Sequence, residues 1–257
     1  MNEIVAHLEQ GTLEVTGRLV DASNATLYAN CSLAEKSMPV IYKPVAGERP
    51  LWDFPDGNLA QRERAAYLVS ELMEIHCVPL TILRDGPFGI GMVQEWIDID
   101  ESVDLEVFFR LDDARLRAVA LFDAVINNTD RKIGHLIPDA DGHLYVCDHG
   151  VTFHEDDKLR TVLWQWAGHS LSDSEILTLQ SLLQSMRNDC PELRDLITDI
   201  EFDALTARIE RLISERKFPE PKGNTVNHAD DVGNLARAGI DVVHGGHHLA
   251  HHAATAL

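Results

Sequence analysis

The sequence predicts an α+β protein in two parts, an antiparallel sheet carrying one helix and then a mainly helical region. Three observations predict it. Alternating apolar positions recur in short runs through the first third of the chain. One segment of helical spacing interrupts those runs. After Trp96 the apolar spacing becomes that of helices. The 257 residues allow one large domain or two small ones, with enough chain to bury a sizeable core.

Leu13–Val20 alternates in the manner of a strand, Asp21–Asn24 is a turn cluster, and Ala25–Leu33 returns as the second arm of a hairpin. Pro39–Val45 is a third strand with Lys43 near its end, and residues 47–57 form a loop rich in Gly, Pro and Asp. A helix is expected over Asn58–Ile75. Asn58 and Gln61 stand at capping-box spacing, and Ala65, Ala66, Val69, Leu72 and Met73 recur on one face. Strands at residues 79–83 and 90–97 follow, split by the turn Arg84-Asp85-Gly86-Pro87.

Asp112–Asn127 is apolar nearly all round, which marks a buried helix. A loop over Asn128–Gly134 leads to two short strands, residues 135–138 and 143–147, joined by the turn Asp139-Ala140-Asp141-Gly142. Ser172-Asp173-Ser174-Glu175 is a capping box before Ile176, Leu179, Leu182, Leu183 and Met186, and Glu201–Arg216 repeats the helical spacing. From Lys222 the pattern decays into a segment with six histidines (His228, His244, His247, His248, His251, His252), read as a flexible tail able to capture transition metals adventitiously. The expected division is therefore 1–96, 97–221 and a tail at 222–257.

Lys and Arg total 22 against 42 Asp and Glu, a formal charge of −20. That excess argues against gripping nucleic acid or an anionic membrane through the overall field. No stretch approaches the ~20 apolar residues of a membrane helix. The four cysteines (Cys31, Cys77, Cys147, Cys190) are too scattered for a CxxC site, and no secretory signal opens the chain. Reduced thiols in a cytoplasm are the expectation. Oligomeric state is not legible.

Three features carry chemistry when taken together: the strand lysine Lys43 followed by a helix with Glu63 near its start, the loop Asn127–His135 directly after the buried helix, and Cys147-Asp148-His149-Gly150 after a short strand. Phosphoryl transfer from ATP needs a cation at the phosphates, a carboxylate holding that cation, a second carboxylate at the attacking hydroxyl, and a third on a divalent metal. The chain supplies these in the order Lys43, Glu63, Asp130, His135, Asp148-His149-Gly150.

Asn128-Thr129-Asp130-Arg131 followed by Asp148-His149-Gly150 resembles the catalytic and metal-binding loops of type II phosphatidylinositol 4-kinases and of HipA-like atypical kinases. From Gly11 to Pro219 the chain resembles an actinobacterial phosphatidylinositol 3-/4-kinase-like family of unknown function. Ile41-Tyr42-Lys43-Pro44, the segment Glu48–Pro55, Arg62–Tyr67 and Lys158–Trp164 carry that likeness. The resemblance implies a two-lobed protein-kinase-like fold, with ATP and Mg2+ or Mn2+ in the cleft. Lys43 would contact the phosphates and Glu63 would pair with it. Ser23-Asn24-Ala25-Thr26 would be the phosphate-covering turn, without a protein kinase's glycines. Gln94-Glu95-Trp96 would meet adenine through backbone groups. Asp130 would be the catalytic base, and Asp148 the principal metal ligand. His135 stands where the related kinases carry a second-ligand asparagine, and imidazole suits Mn2+ better than Mg2+.

Each residue also has an ordinary reading. Lys43 fits a solvated strand end and Glu63 a helix surface, with Glu71 and Glu74 able to serve instead. Asp130-Arg131 fits a turn-stabilising pair, and Gly150 a positive-φ turn residue. Lys158 and Arg160 fall where a substrate loop would lie, suited to an acidic or phosphorylated acceptor or to plain solvation. Trp164 and Trp166 read as core. The first reading is an atypical kinase acting on a hydroxyl of a protein or small molecule. The second is a nucleotide-binding pseudokinase with a regulatory or scaffold role. The third, resting on His143, His149 and His154 near Asp148, is a metal-dependent phosphohydrolase.

Overall fold

The computed structural model describes residues 3–19, 25–188, 190–221 and 240–242. The seven α-helices among them are α1 (Glu3–Gln10), α2 (Leu59–Leu72), α3 (Leu105–Phe108), α4 (Ala114–Ile126), α5 (Asp173–Asn188), α6 (Pro191–Leu196) and α7 (Asp199–Glu215). The strands are β1 (Thr12–Leu19), β2 (Leu27–Leu33), β3 (Lys36–Pro44), β4 (Thr81–Gly86), β5 (Gly89–Glu95), β6 (Leu136–Pro138), β7 (Leu144–Val146) and β8 (Ile240–Val242).

The residues form two compact units. The first takes the chain up to Arg49, Ile82–Trp96 and β8. Its sheet runs β4-β5-β3-β2-β1-β8, and the β1–β2, β2–β3, β3–β5 and β1–β8 pairs are antiparallel. The expected strands are present with small shifts at their ends. β4 runs on through Gly86, where the sequence suggested a turn from Arg84. The Arg84 guanidinium reaches the Leu8 and Gly11 carbonyls at 2.6 and 2.9 Å, which holds that stretch extended beside the end of α1. Helix α1 was not foreseen. It is short, and it is fixed by burial of His7 and Leu8.

The second unit takes Pro50–Thr81 and the described residues from Ile97 onward. Helix α2 packs there, against α4, α5 and α6, although the chain reaches it directly from the sheet. Asn58 caps α2 as expected, its side chain accepting the Gln61 N–H at 2.8 Å. Arg62 of α2 lies buried on Glu201 of α7, with Nη2 at 2.6 Å and Nε at 3.2 Å from Oε1. The Ser172–Glu175 capping box forms in both directions. A second box, Thr198 with Glu201, starts α7 two residues ahead of the expected position. The buried helix α4 ends where Asn127 turns left-handed, at φ 53°. Among the described residues, no helix is long and apolar enough to cross a membrane.

One polar side chain closes the turn after α2. Ser70 is fully buried, and its hydroxyl accepts the N–H groups of Cys77 and Val78 at 2.9 and 3.3 Å. Ser70→Ala leaves two buried donors without that acceptor, so urea unfolding should show a loss of about 1–3 kcal/mol. A loss under a few tenths would show that the turn relaxes to water.

Candidate active site

In the first unit, Lys43 sits half-buried near the end of β3, opposite Met92 of β5. The next pair in that register is Pro44 with Gly91. A Cβ at Gly91 would press on the Lys43 carbonyl and stand 2.6 Å from Pro44 Cα, so the bare glycine lets the lysine-bearing strand lie close. Thr26 is buried, and its carbonyl accepts the Leu19 N–H at 2.9 Å. Ala25 donates its N–H to Gly47 O at 3.3 Å. Ser23 and Asn24 lie outside the described residues. Gln94 is buried opposite Ile41, and burial pushes the Glu95 carboxyl above the usual range. Trp96 stands edge-on to Tyr28 with centroids 5.1 Å apart.

In the second unit the two chemical loops are built around a buried ion pair. Asp123, the one charged residue within the apolar run of α4, meets Arg131, and both side chains are 0% exposed. Arg131 Nε and Nη2 reach the carboxylate at 2.9–3.2 Å. The same carboxylate accepts Asn128 Nδ2 at 3.0 Å and Thr161 Oγ1 at 3.1 Å. Arg131 then crosses to the second loop, donating Nη1 to the Cys147 carbonyl and Nη2 to His149 Nε2, both at 2.9 Å. Because His149 Nε2 faces a donor it accepts, so its proton sits on Nδ1. Burial holds this imidazole below the ordinary histidine range. Glu63 Oε2 accepts the His149 backbone N–H at 2.9 Å and lies 3.7 Å from Nδ1. Thus Glu63, buried on α2 rather than on a helix surface, is fastened to the Asp148-His149-Gly150 turn.

This scaffold presents Asp130, His135 and Asp148. Asp130 is partly exposed, its backbone N–H held by Asn128 Oδ1 at 3.0 Å and its Oδ2 2.9 Å from Lys132 Nζ. Asp148, 51% exposed, sits 3.5 Å from His135 Nε2. Burial lowers the His135 pKa to about 4, partly offset by the Asp148 charge, so the ring is neutral near pH 7. Its Nδ1 accepts the Lys132 N–H at 3.4 Å, which leaves the proton on Nε2 toward Asp148. The left-handed residue of this turn is Asp148 itself, at φ 64°; Gly150 does not take that conformation and packs against Leu59.

The second unit therefore holds Asp130, His135, Asp148 and Glu63, with His135 beside Asp148 and Glu63 on the His149 backbone, while Lys43, Ala25, Thr26 and Gln94–Trp96 belong to the first. The histidines of the hydrolase reading go to three places. His143 Nε2 lies 2.9 Å from the His76 carbonyl, His149 lies on Arg131, and His154 lies beside Lys158. Among the described residues, no group of three or more His, Cys, Asp or Glu side chains is placed to hold a metal ion. Sequence reasoning missed Asp123, Asn128 and Thr161. A lone carboxylate inside Ala120–Ile126 was the signal for the first, since an unpaired charge does not stay in an apolar helix. Arg131 does stabilise the loop, yet its partner is Asp123 and not the adjacent Asp130.

No family model matches the chain. Among solved structures, the chain is similar to a Golgi casein kinase. The TM-score is 0.51 at 12% identity, over 86% of this chain and 78% of that one. In a second structure, with Mn/ADP bound, it is 0.53 at 13% identity, over 83% and 74%. At such identities the likeness is one of fold, and it agrees with the kinase-like α+β class expected from the sequence. Protein Rv2133c of Mycobacterium tuberculosis (strain ATCC 25618 / H37Rv) is 40% identical over 255 residues, covering 85% of this chain and 92% of that protein. With identity at that level across most of both sequences, the chain belongs to the family of Protein Rv2133c.

Proposed function

We propose that the chain is an ATP-dependent phosphotransferase of the atypical kinase type, passing the γ-phosphoryl group to a hydroxyl of a protein or small molecule. The observation that supports this reading is that the loop bearing Asp130 and His135 and the turn bearing Asp148 are tied to one buried ion pair, with His135 Nε2 3.5 Å from Asp148. Those loops carry the side chains that the kinase order of motifs requires. The kinase-like fold supports it, as does the Mn/ADP found in the neighbour that shares that fold. The narrower link to phosphatidylinositol 3-/4-kinase-like proteins rests on the motifs alone.

In this reading Lys43 binds ATP phosphates, Thr26 and Ala25 belong to the turn that covers them, and Gln94–Trp96 receive adenine. Asp130 orients the attacking hydroxyl and takes its proton. Its bond to Lys132 must loosen for that, since the lysine occupies Oδ2. Asp148 would hold the divalent cation, which supplies charge neutralisation at the phosphates. The donor set is one carboxylate and one neutral imidazole, a mixture that suits Mn2+ more than Mg2+. To ligate through Nε2, His135 must move its proton to Nδ1 and release the Lys132 N–H. Glu63 keeps the Asp148 turn in register.

The pseudokinase reading is favoured by that same imidazole and by the Asp130–Lys132 pair, which occupy both catalytic groups. Two experiments decide. ATP with Mn2+ should raise the melting temperature, and incubation with γ-labelled ATP should give label transfer or hydrolysis that falls at least about 100-fold in Asp130→Ala and Asp148→Ala. Stabilisation with equal, background turnover in all three would establish the pseudokinase, and no stabilisation in any metal would remove both readings. His135→Asn should raise the ratio of Mg2+-supported to Mn2+-supported turnover. An unchanged ratio would take His135 out of the metal site.

A further inference from the structure

The second unit neutralises its arginines with care. Arg62 lies on Glu201, Arg64 on Glu192, Arg117 on Glu175, Arg131 on Asp123, Arg211 on Asp157 and Arg216 on Asp173. In a chain with 42 carboxylates and 22 Lys and Arg, a guanidinium left without one needs a reason. Arg110 and Arg194 lie over the Phe109 and Phe202 rings, and among the described residues Arg160 has neither a carboxylate nor a ring. Its side chain is exposed, and among the described residues it makes no ion pair.

Its position is fixed by the backbone. The Arg160 N–H donates to the Asn128 carbonyl at 2.8 Å, and the Arg160 carbonyl accepts the Arg131 N–H at 3.1 Å. These two bonds bracket Thr129-Asp130, so the Arg160 backbone is fixed against the loop that carries the proposed base. The segment before it is stitched to the same loop. Asn127 Nδ2 donates to the His154 and Asp156 carbonyls at 2.9 and 2.6 Å, and Asn127 Oδ1 accepts the Lys158 N–H at 3.0 Å. Arg208 adds a bond to the His154 carbonyl at 3.0 Å. Arg160 is therefore carried by a braced strip and not by a loose loop.

A second cation and an aromatic face continue the strip. Lys158 Nζ stands 5.6 Å from the Trp52 ring centroid, and Trp52 is 89% exposed. Asp53 is 3.9 Å from the same amine, too far for a tight pair. A large apolar ring that open to solvent beside cations is a ligand surface more readily than a packing element.

We infer that Arg160, with Lys158 and Trp52 beyond it, forms the acceptor shelf of the active site, and that the acceptor carries a carboxylate or phosphate group close to its reacting hydroxyl. This rests on the phosphotransferase reading. Arg160 holds the oxyanion through its planar fork, which sets the hydroxyl over Asp130. Lys158 adds a point charge, and Trp52 takes the apolar face of whatever precedes or follows. The strong negative charge of the chain as a whole makes a cationic shelf of this kind the place where an oxyanion is favoured.

The test uses the full chain with Mn2+ and γ-labelled ATP against two probe sets. One is a Ser/Thr peptide library with acidic, neutral and basic flanks. The other is a panel of phosphorylated polyols beside their unphosphorylated parents. The wild type should label anionic probes at least about tenfold better than neutral ones in one set, and that set identifies the source of the oxyanion. Arg160→Glu should remove the preference or reverse it toward basic flanks, while Arg160→Lys should keep part of it. Equal labelling of neutral and anionic probes overturns the inference, as does an Arg160→Glu protein with unchanged preference. Wild-type protein that turns over ATP above the Asp130→Ala background but labels neither set also overturns it. Absence of ATP stabilisation, or stabilisation with background turnover only, by contrast, marks failure of the phosphotransferase reading itself.

Discussion

The local structure of the candidate site depends on one buried interaction, the ion pair of Asp123 and Arg131. Two opposite charges wholly removed from water bear a heavy desolvation cost. Here that cost is met by a full set of partners. The carboxylate takes bonds from Arg131, Asn128 and Thr161, and the guanidinium gives bonds to Asp123, the Cys147 carbonyl and His149. Since these partners come from three stretches of chain besides α4, satisfying one pair fixes the loop after α4, the turn after β7 and the strip that carries Arg160. A hydrophobic pair of similar volume would fill the space but would not specify three backbones.

The electrostatics of the surface groups follow from this frame. Asp130 and Asp148 are the exposed anions on the two fixed loops, and each has a cationic or neutral nitrogen beside it, Lys132 or His135. A neutral imidazole next to a carboxylate leaves room for an added cation where a protonated one would repel it. The position of His135 is thus taken by a group that is uncharged under ordinary conditions. The buried Glu63 links the Asp148 turn to α2, so that turn and the helix are held together.

Strand and helix identities were legible because their apolar periods differ: Leu13–Val20 alternates, and Ile176–Met186 repeats every three to four residues. Ends were less legible. The start of α7 is set by Thr198 reaching Glu201, and β4 persists through Gly86 because Arg84 finds carbonyls 73 and 76 residues away. The candidate site was legible as an order of motifs, since each candidate residue falls just after its element. Its scaffold was not. No spacing rule ties Asp123 to Thr161 or Glu63 to His149, pairings that exist only once distant segments pack. Strain was misplaced for a similar reason. Glycine is the usual residue at positive φ, yet it is Asp148 that is turned there, at a residue the site needs.

The central claim is that burial of one ion pair organises both chemical loops. Asp123→Asn, nearly the same in shape but without the charge, tests it through amide hydrogen exchange at residues 127–135 and 147–150 measured beside the melting shift with ATP and Mn2+. The account requires faster exchange in both loops together and a weakened or absent nucleotide shift in a protein whose α5 and α7 amides stay protected. Unchanged protection in the two loops with a full nucleotide shift would contradict it.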